Sequence, residues 1–207
     1  METSVQIVPK GLCYYDQVWR DMVAFTVERD VYTQDQIWVL QHHPVYTQGT
    51  SCVALPRESN ADIPVVKTDR GGQITYHGPG QLILYLLLDL KRKGIGPKLL
   101  VRNVEQALID VLQDLGLTAN RVAGAPGVYL GSAKIAALGF RIKKGCCYHG
   151  LSLNLSMDLS PFEFIHPCGV PGQAITQLRD WVDTSDDDVT SLLLSKLCHH
   201  LKLKPVS

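Results

Sequence analysis

Three parts of the chain carry apolar residues at the spacing of an amphipathic helix. The first lies between Tyr14 and Arg29, the second between Pro97 and Gly116, and the third follows Ser185. Proline is tolerated in a first helical turn, glycine favours a helix end, and serine caps a helix start. The three apolar stripes are Tyr15, Val18, Trp19, Met22 and Phe25; Leu100, Val104, Ala107, Leu108, Val111 and Leu115; and Val189, Leu192, Leu193, Leu197 and Leu201. The pattern therefore predicts three helices.

A second pattern, short apolar runs bounded by turn residues, predicts strands. The clearest run, from Gln81 to Leu90, is almost continuously aliphatic, as in a strand that is covered on both faces. Shorter strands are predicted at Gln36–Gln41, Val65–Val66, Val128–Leu130, Lys134–Lys143 and Cys147–Leu155. Because both element types alternate and no linker is evident, we expect one α/β domain over residues 1–207. Its mixed β-sheet should be flanked by helices.

Glycine and proline accumulate in three segments, which we expect to be loops that turn sharply or lie close to another part of the molecule. They run from Arg70 to Gly80, from Gly124 to Gly131, and from Pro167 to Gly172.

Composition narrows the classes of function. Twenty basic residues balance twenty acidic ones, which argues against general nucleic-acid binding or a membrane surface as partner. The first residues show no signal peptide, and the longest apolar stretch, Leu82 to Leu88, is too short to cross a bilayer. We therefore predict a cytoplasmic protein whose six cysteines are reduced thiols.

Cys168 is the first candidate for chemistry. It stands in the sequence His-Pro-Cys-Gly-Val-Pro-Gly, where Pro167 and Gly169 favour an irregular, accessible backbone. A thiol becomes a nucleophile as the thiolate, which a nearby base or cation must populate at neutral pH. The alternative is a small buried apolar residue, which is the commonest role of an unpaired cysteine.

Lys134 and the segment from Arg70 to Gln81 are further candidates. Lys134 stands in a largely apolar stretch; a buried lysine can act as a base, whereas a lysine at a strand edge simply reaches water. The Arg70 segment offers paired glycines and polar side chains but contains neither the P-loop nor the dinucleotide-binding pattern. It fits a loop that lines an elongated substrate as well as it fits a structural turn. The histidine spacings do not indicate a metal site.

Five blocks of the sequence stand out in a fixed order. They are Arg-Gly-Gly-Gln-Ile-Thr-Tyr-His-Gly-Pro-Gly-Gln at 70–81, Gly-Ala-Pro-Gly-Val-Tyr at 124–129, Lys-Ile-Ala-Ala-Leu-Gly at 134–139, His-Gly-Leu-Ser-Leu-Asn at 149–154 and Pro-Cys-Gly at 167–169. Together they resemble the octanoyltransferases of lipoate synthesis, the lipoyl(octanoyl) transferase B family. The resemblance covers nearly the whole chain, from the Gln41–Gly49 segment to Ala174–Leu178.

The resemblance implies a role for each block. Cys168 would be the acyl-thioester nucleophile and Lys134 its activating partner. Residues expected to line the acyl substrate are Arg70, Gly71, Gly72, Gln73, Ile74, Thr75, Tyr76, His77, Ala137, Leu138, Gly139, Gly150, Leu151 and Ser152. The implied fold is that of the biotin and lipoate protein ligases.

The resemblance also implies the reaction and its partners. Octanoyl-acyl carrier protein would donate the acyl group, and lipoyl domains of the 2-oxoacid dehydrogenase and glycine cleavage complexes would accept it. No ATP and no cofactor would be needed.

Three other functions remain open at this point. An ATP-dependent lipoate ligase on the same fold would not need a nucleophilic cysteine. A Cys-His hydrolase would use His77 or His149 as its base. A binding module without catalysis would present acyl groups or hold lipoyl domains.

Overall fold

The computed structural model describes residues 3–52, 62–165 and 172–206 and contains strands and helices in alternation. The elements in chain order are β1 (Thr3–Cys13), α1 (Tyr15–Glu28), β2 (Asp35–His42), β3 (Val45–Gln48), β4 (Val65–Lys67), β5 (Ile74–His77), β6 (Gln81–Asp89), α2 (Leu90–Lys93), α3 (Pro97–Asp114), β7 (Ala119–Val122), β8 (Ala125–Leu130), β9 (Ala133–Lys143), β10 (Cys146–Asn154), α4 (Asp186–Leu201) and β11 (Leu203–Val206). Short 3-10 turns at Ser160–Phe164 and Leu178–Asp180 connect β10 to α4.

The strands of the described residues form two sheets. The larger has eight strands in the order β11-β1-β2-β6-β10-β9-β8-β7, and the smaller has the order β4-β3-β5. In the larger sheet β1 pairs in parallel with β11 and β2, whereas the pairs from β2 through to β7 are antiparallel. The prediction of a mixed sheet flanked by helices is therefore confirmed.

The aliphatic strand β6 explains why helices cover both faces of the sheet. Alternate side chains of a strand point to opposite faces. Leu82, Leu84, Leu86 and Leu88 join the apolar cluster that contains the buried faces of α3 and α4. Ile83, Tyr85 and Leu87 join a second cluster with Val18 and Met22 of α1. Burying each such leucine stabilises the fold by roughly 1.5–3 kcal/mol, so this strand alone ties both layers to the sheet.

The helix predictions are confirmed to within one or two residues. The third helix begins as its sequence indicates, because the Ser185 hydroxyl accepts a hydrogen bond from the amide of Asp188 at 3.1 Å. None of the helices in the described part of the chain has both the length and the apolar character needed to cross a bilayer.

Two of the predicted loops contain strands, so those predictions were partly wrong. Residues 74–77 within the first segment form β5, which pairs with β3. Residues 125–130 within the second form β8, which contains the predicted strand Val128–Leu130. These segments form strands despite their glycines, because most of the glycines lie just before or after the residues that pair. Of the third segment, residues 167–171 lie outside the described residues, and Gly172 has a φ of +73°.

Candidate active site

A half-open cavity of about 450 Å³ lies between the segment 70–77 and the strands β9 and β10. Thirteen of the fourteen residues predicted to line a substrate contribute to its wall: Arg70, Gly71, Gly72, Gln73, Ile74, Thr75, His77, Ala137, Leu138, Gly139, Gly150, Leu151 and Ser152. Apolar side chains of α3 and β9, including Leu100, Val101 and Ile142, complete the wall. The structure thus brings these residues together around one space.

Tyr76 is the one predicted lining residue that the cavity wall does not include. It is buried in a separate cluster, where its ring meets those of Tyr46 and Phe162 at centroid distances of 5.6 Å. Because Thr75 and Tyr76 are neighbours on β5, their side chains point to opposite faces of the strand. Burial also raises the pKa of Tyr76 to about 12.

Close backbone contact explains the glycines of the first block. The amide of Gly71 donates a hydrogen bond to the carbonyl of Phe140 on β9 at 3.0 Å. A Cβ atom added at Gly139 would lie only 2.9 Å from the Gly71 carbonyl oxygen. The segment therefore lies directly on β9, and side chains at these positions would push the two walls of the cavity apart.

Arg70 is held by neighbouring polar groups rather than extending into water. Its side chain donates to the Thr47 hydroxyl at 3.0 Å, to the Thr47 carbonyl, and to the Gly71 carbonyl at 3.0 Å. The residue is buried. Its contacts join β3 to the glycine segment and so fix one wall of the cavity.

Lys134 lies in the cavity wall and is only 3% exposed. The alternative in which its ammonium group simply reaches water is therefore wrong. The Nζ atom donates to the Pro126 carbonyl at 3.0 Å and lies 5.1 Å from the centre of the Tyr129 ring. The register between β8 and β9 shifts at this point, since Tyr129 pairs with Lys134 and Val128 with Ala136. A bulge of this kind re-aims a side chain.

The backbone of Lys134 is paired with the chain that follows the Cys168 segment. Its amide donates to the Ala174 carbonyl at 2.8 Å, and its carbonyl accepts from the Thr176 amide at 3.0 Å. The Asn154 side chain holds the same stretch by donating to the Thr176 carbonyl at 2.9 Å. Cys168 itself lies outside the described residues, as do Pro167 and Gly169.

A network of buried polar groups forms another part of the cavity region. His77 lines the cavity, with Nδ1 2.7 Å from the Gln81 side-chain oxygen and Nε2 3.3 Å from the Thr47 hydroxyl. Burial, reinforced by His42 and Arg70, lowers the pKa of His77 well below its ordinary value. The ring is therefore neutral at physiological pH.

Asp69 anchors the second histidine of the cavity and was not predicted from the sequence. Its carboxylate accepts hydrogen bonds from His149 Nε2 at 3.0 Å, from Trp19 Nε1 at 2.9 Å and from the Tyr148 hydroxyl. Burial raises the pKa of Asp69, but these hydrogen bonds outweigh it and hold the pKa well below its usual range. Burial lowers the pKa of His149, although Asp69 partly opposes that effect.

Cys13, Cys146, Cys147 and Cys198 form no disulfide with another described residue. Burial raises the pKa of the Cys147 thiol to about 12, and its sulfur donates to the Leu86 carbonyl at 3.2 Å. Burial also raises the pKa values of Cys146 and Cys198. These three thiols are thus packing residues at neutral pH. The described residues contain no group of three His, Cys, Asp or Glu side chains arranged to hold a metal ion.

Comparison with known proteins assigns the chain to a family. Residues 17–198 match the model of the lipoyl protein ligase A/B catalytic domain. The chain belongs to this family. Within the family it is 51% identical over 192 residues to an octanoyltransferase of Chromobacterium violaceum, a match that covers 92% of this chain and 93% of the relative. It is 48% identical over 196 residues to an octanoyltransferase of Enterobacter sp., with 94% and 92% covered. The predicted membership of the octanoyltransferases is confirmed.

Solved structures of lipoate and biotin protein ligases share the fold. A bipartite lipoate protein ligase of Thermoplasma acidophilum has a TM-score of 0.72 at 16% identity and covers 100% of this chain and 88% of its own. A biotin protein ligase of Aquifex aeolicus, in complex with biotin and ATP, has a TM-score of 0.61 at 15% identity, with 96% and 70% covered. At these identities the likeness extends to the fold alone.

Proposed function

We propose that this member of the family transfers octanoyl groups in protein lipoylation, from an acyl carrier protein to a lysine of a lipoyl domain, through a thioester on Cys168. The curated relatives at about half identity are octanoyltransferases and match the chain over almost its full length. The single structural observation that carries the mechanism is the burial of Lys134 in the wall of an apolar cavity, with its backbone paired to residues 174–176. Cys168 precedes Ala174 by only six residues.

In the first half-reaction Lys134 favours the Cys168 thiolate, either by accepting its proton or by pairing with it. The thiolate attacks the carbonyl carbon of the donor thioester. The bond between that carbon and the carrier sulfur breaks, and the carrier leaves as a thiol after taking up a proton. The octanoyl group now forms a thioester with Cys168.

In the second half-reaction the amine of an acceptor lysine attacks this thioester. Lys134 takes the proton that the amine loses, Cys168 leaves, and an amide forms on the acceptor. Exchange between thioesters is close to neutral in free energy, and amide formation from a thioester is favourable. The two half-reactions therefore need no ATP. The acceptors that we propose are the lipoyl domains of 2-oxoacid dehydrogenase and glycine cleavage complexes. The cytoplasmic location stays a prediction from the sequence.

The cavity fits the acyl chain of this substrate. Its wall is mainly apolar, and each methylene that leaves water contributes about 0.8 kcal/mol. An eight-carbon chain therefore gains several kcal/mol from the wall. Neighbouring chain lengths should be separated by only a small factor, because each differs by one methylene.

The hydrolase alternative has less support. Both ring nitrogens of His77 have hydrogen-bond partners. His149 binds Asp69 through Nε2, and its Nδ1 atom is buried inside the protein. A histidine base needs an accessible ring nitrogen beside the nucleophile. The ligase alternative has the same fold but is not the activity named for the relatives at about half identity.

The proposal is tested by intact mass spectrometry after incubation with octanoyl-acyl carrier protein in the absence of ATP. We expect the wild-type protein to gain the mass of one octanoyl group and Cys168→Ala to gain none. Cys13→Ala is the matched control, because Cys13 is a half-buried thiol at the end of β1, and it should be acylated like the wild type. An adduct on Cys168→Ala, or a strict need for ATP, would refute the mechanism.

A further inference from the structure

Glu105 is a buried carboxylate of α3 that the proposed reaction does not yet use. The residue is 7% exposed and lies on the helix face that packs towards β8. Its Oε1 atom accepts a hydrogen bond from the backbone amide of Gly127 at 3.0 Å. Its Oε2 atom accepts from Nε of Arg121 at 3.1 Å. One oxygen therefore binds a surface arginine, and the other binds the block that precedes Lys134.

The peptide group that Glu105 binds is the one that holds the lysine. The amide nitrogen of Gly127 and the carbonyl of Pro126 belong to the same planar peptide unit. That carbonyl accepts the hydrogen bond from Lys134 Nζ at 3.0 Å. Carboxylate, peptide and amine thus form a continuous chain of two hydrogen bonds, in which the carboxylate meets the positive end of the peptide dipole and the amine meets the negative end.

The orientation of this peptide depends on glycine at position 127. Gly127 has a φ of +135°, which side-chain-bearing residues rarely adopt. A Cβ atom there would lie 2.6 Å from the carbonyl oxygen of Ala136 and 3.0 Å from Cε of Lys134. The backbone therefore fits closely around the Lys134 side chain. The hydrogen bond from Gly127 to Glu105 keeps the carbonyl of the Pro126–Gly127 peptide directed towards Lys134.

We propose that Glu105 is the positioning residue for Lys134 in octanoyl transfer, acting through the Pro126–Gly127 peptide. The hydrogen bond to the carboxylate fixes the direction of the Pro126 carbonyl and polarises it, because hydrogen bonds in a chain strengthen one another. The carbonyl in turn fixes Nζ of Lys134 in the cavity wall. This inference rests on the proposed function, since it gives Glu105 a role only if Lys134 activates Cys168.

An ion pair with Arg121 alone does not explain the buried carboxylate. The Arg121 side chain is 35% exposed, and its guanidinium also donates to the Arg102 carbonyl and to the Gln106 side chain. Pairs of such exposure contribute little to stability, whereas burying a carboxylate is costly unless it is hydrogen-bonded. The hydrogen bond from the Gly127 amide offsets part of the cost of burying the Glu105 carboxylate, and it is made by the peptide that also binds Lys134.

The test is the rate at which iodoacetamide alkylates Cys168, followed in the peptide that contains this residue. Relative to wild type we expect Glu105→Ala to react about tenfold more slowly. Glu105→Gln should recover part of that loss, because its amide oxygen still accepts a hydrogen bond from Gly127. Arg121→Gln is the matched control: it breaks the ion pair but leaves the Gly127 contact, and should react within twofold of wild type. In octanoyl transfer, Glu105→Ala should lower kcat and leave KM for the carrier unchanged.

A double-mutant cycle separates positioning from general loosening of the fold. If Glu105 acts through Lys134, adding Glu105→Ala to Lys134→Met should cause no further loss of rate. An equal loss in both backgrounds, or a wild-type rate in Glu105→Ala, would overturn the inference. A wild-type rate in Lys134→Met would instead refute the proposed function. If Glu105→Ala does not fold, the same cycle is measured with Glu105→Gln. The proposal would then be overturned if Glu105→Gln matched the wild type in kcat and in alkylation rate while Arg121→Gln was slowed.

Discussion

At the scale of single residues, the chemistry depends on how a buried amine is accommodated. Lys134 is almost fully enclosed, yet a carbonyl and the face of an aromatic ring lie beside its Nζ atom. Both present partial negative charge to a cation, and the ring contributes about 0.5–2 kcal/mol where water is excluded. These two contacts hold Nζ in the wall of the cavity.

Ala137 allows a residue-scale test of the acyl cavity. The change Ala137→Leu adds apolar bulk to the wall, so the space for the distal carbons of an acyl chain should decrease. If two methylenes lose their contacts at about 0.8 kcal/mol each, octanoyl transfer should fall by about tenfold relative to hexanoyl transfer. Competition between the two carrier-bound acyl groups, read by mass spectrometry of the acceptor, measures the ratio.

The matched control for that substitution is Ala24→Leu on α1, which is exposed and does not line the cavity. It should leave the ratio of octanoyl to hexanoyl transfer unchanged. A ratio that is also unchanged in Ala137→Leu would show that the acyl chain does not occupy this part of the cavity.

The sequence predicted the residues that line the cavity better than the residues that hold them in position. The lining residues could be predicted because they recur in ordered blocks, and a buried Lys134 could be considered because its neighbours are apolar. Asp69 and Glu105 could not, since each acts through partners that are distant in sequence, such as His149 and Gly127. A single carboxylate in a helix or after a short strand carries no local pattern that marks it.

At the scale of elements, Asp35 joins the end of α1 to β2 and α2. Its Oδ1 atom lies 2.7 Å from nitrogen atoms of both Arg29 and Arg92, and it accepts from the amide of Asp89 at 2.8 Å. The Asp35 side chain is fully buried and that of Arg29 is 4% exposed. Removing one member of a buried ion pair leaves an uncompensated charge, which is more costly than losing the pair as a whole.

We therefore expect Asp35→Asn to lower the free energy of unfolding by roughly 3–5 kcal/mol, as measured by urea denaturation. The comparison is Asp114→Asn, which breaks the exposed pair with Lys196, whose members are 46% and 28% exposed. That change should cost less than about 1 kcal/mol. Equal effects of the two substitutions would mean that Asp35 does not hold these elements together.

Elements with strong periodicity were predictable, and those defined by pairing were not. The helices α1, α3 and α4 and the strand β6 carry regular apolar patterns and lie where the sequence indicates, whereas the short helix α2 was not predicted. β1 contains Pro9 and Gly11 and has mostly half-exposed side chains, so nothing local marks it as a strand. Its hydrogen bonds to β2, the next strand, and to β11, about 190 residues further along, hold it in place despite a register shift between Pro9 and Gly11.

At the scale of the whole molecule, buried histidines couple stability to pH. His42 is fully buried, with Nδ1 3.0 Å from the Cys13 carbonyl and Nε2 2.7 Å from the Tyr85 hydroxyl. Burial is the main cause that lowers the pKa of His42 to about 4, and the nearby His43 and His149 lower it further. In the unfolded chain the same residue titrates near 6.5.

Acidification should therefore favour unfolding between pH 6.5 and pH 4, because the unfolded chain binds a proton that folded His42 does not. Above pH 6.5 both states are neutral at this residue, and the effect vanishes. His42 alone should account for a loss of roughly 3 kcal/mol across that range. His42→Gln should show a smaller decrease in unfolding free energy between pH 7 and pH 4 than wild type does. Parallel pH profiles for the two proteins would contradict this account.

The pairing of Lys134 with residues 174–176 constrains any attempt to rebuild this enzyme on another scaffold. Since both backbone groups of the lysine are engaged there, the spacing of six residues from Cys168 to Ala174 limits how far the proposed nucleophile can lie from Lys134. Each inserted residue adds up to about 3.6 Å of chain, more than the length of a hydrogen bond. Insertions at the exposed Asp183 leave that spacing intact, whereas a graft that carries only the two proposed catalytic side chains would lose it.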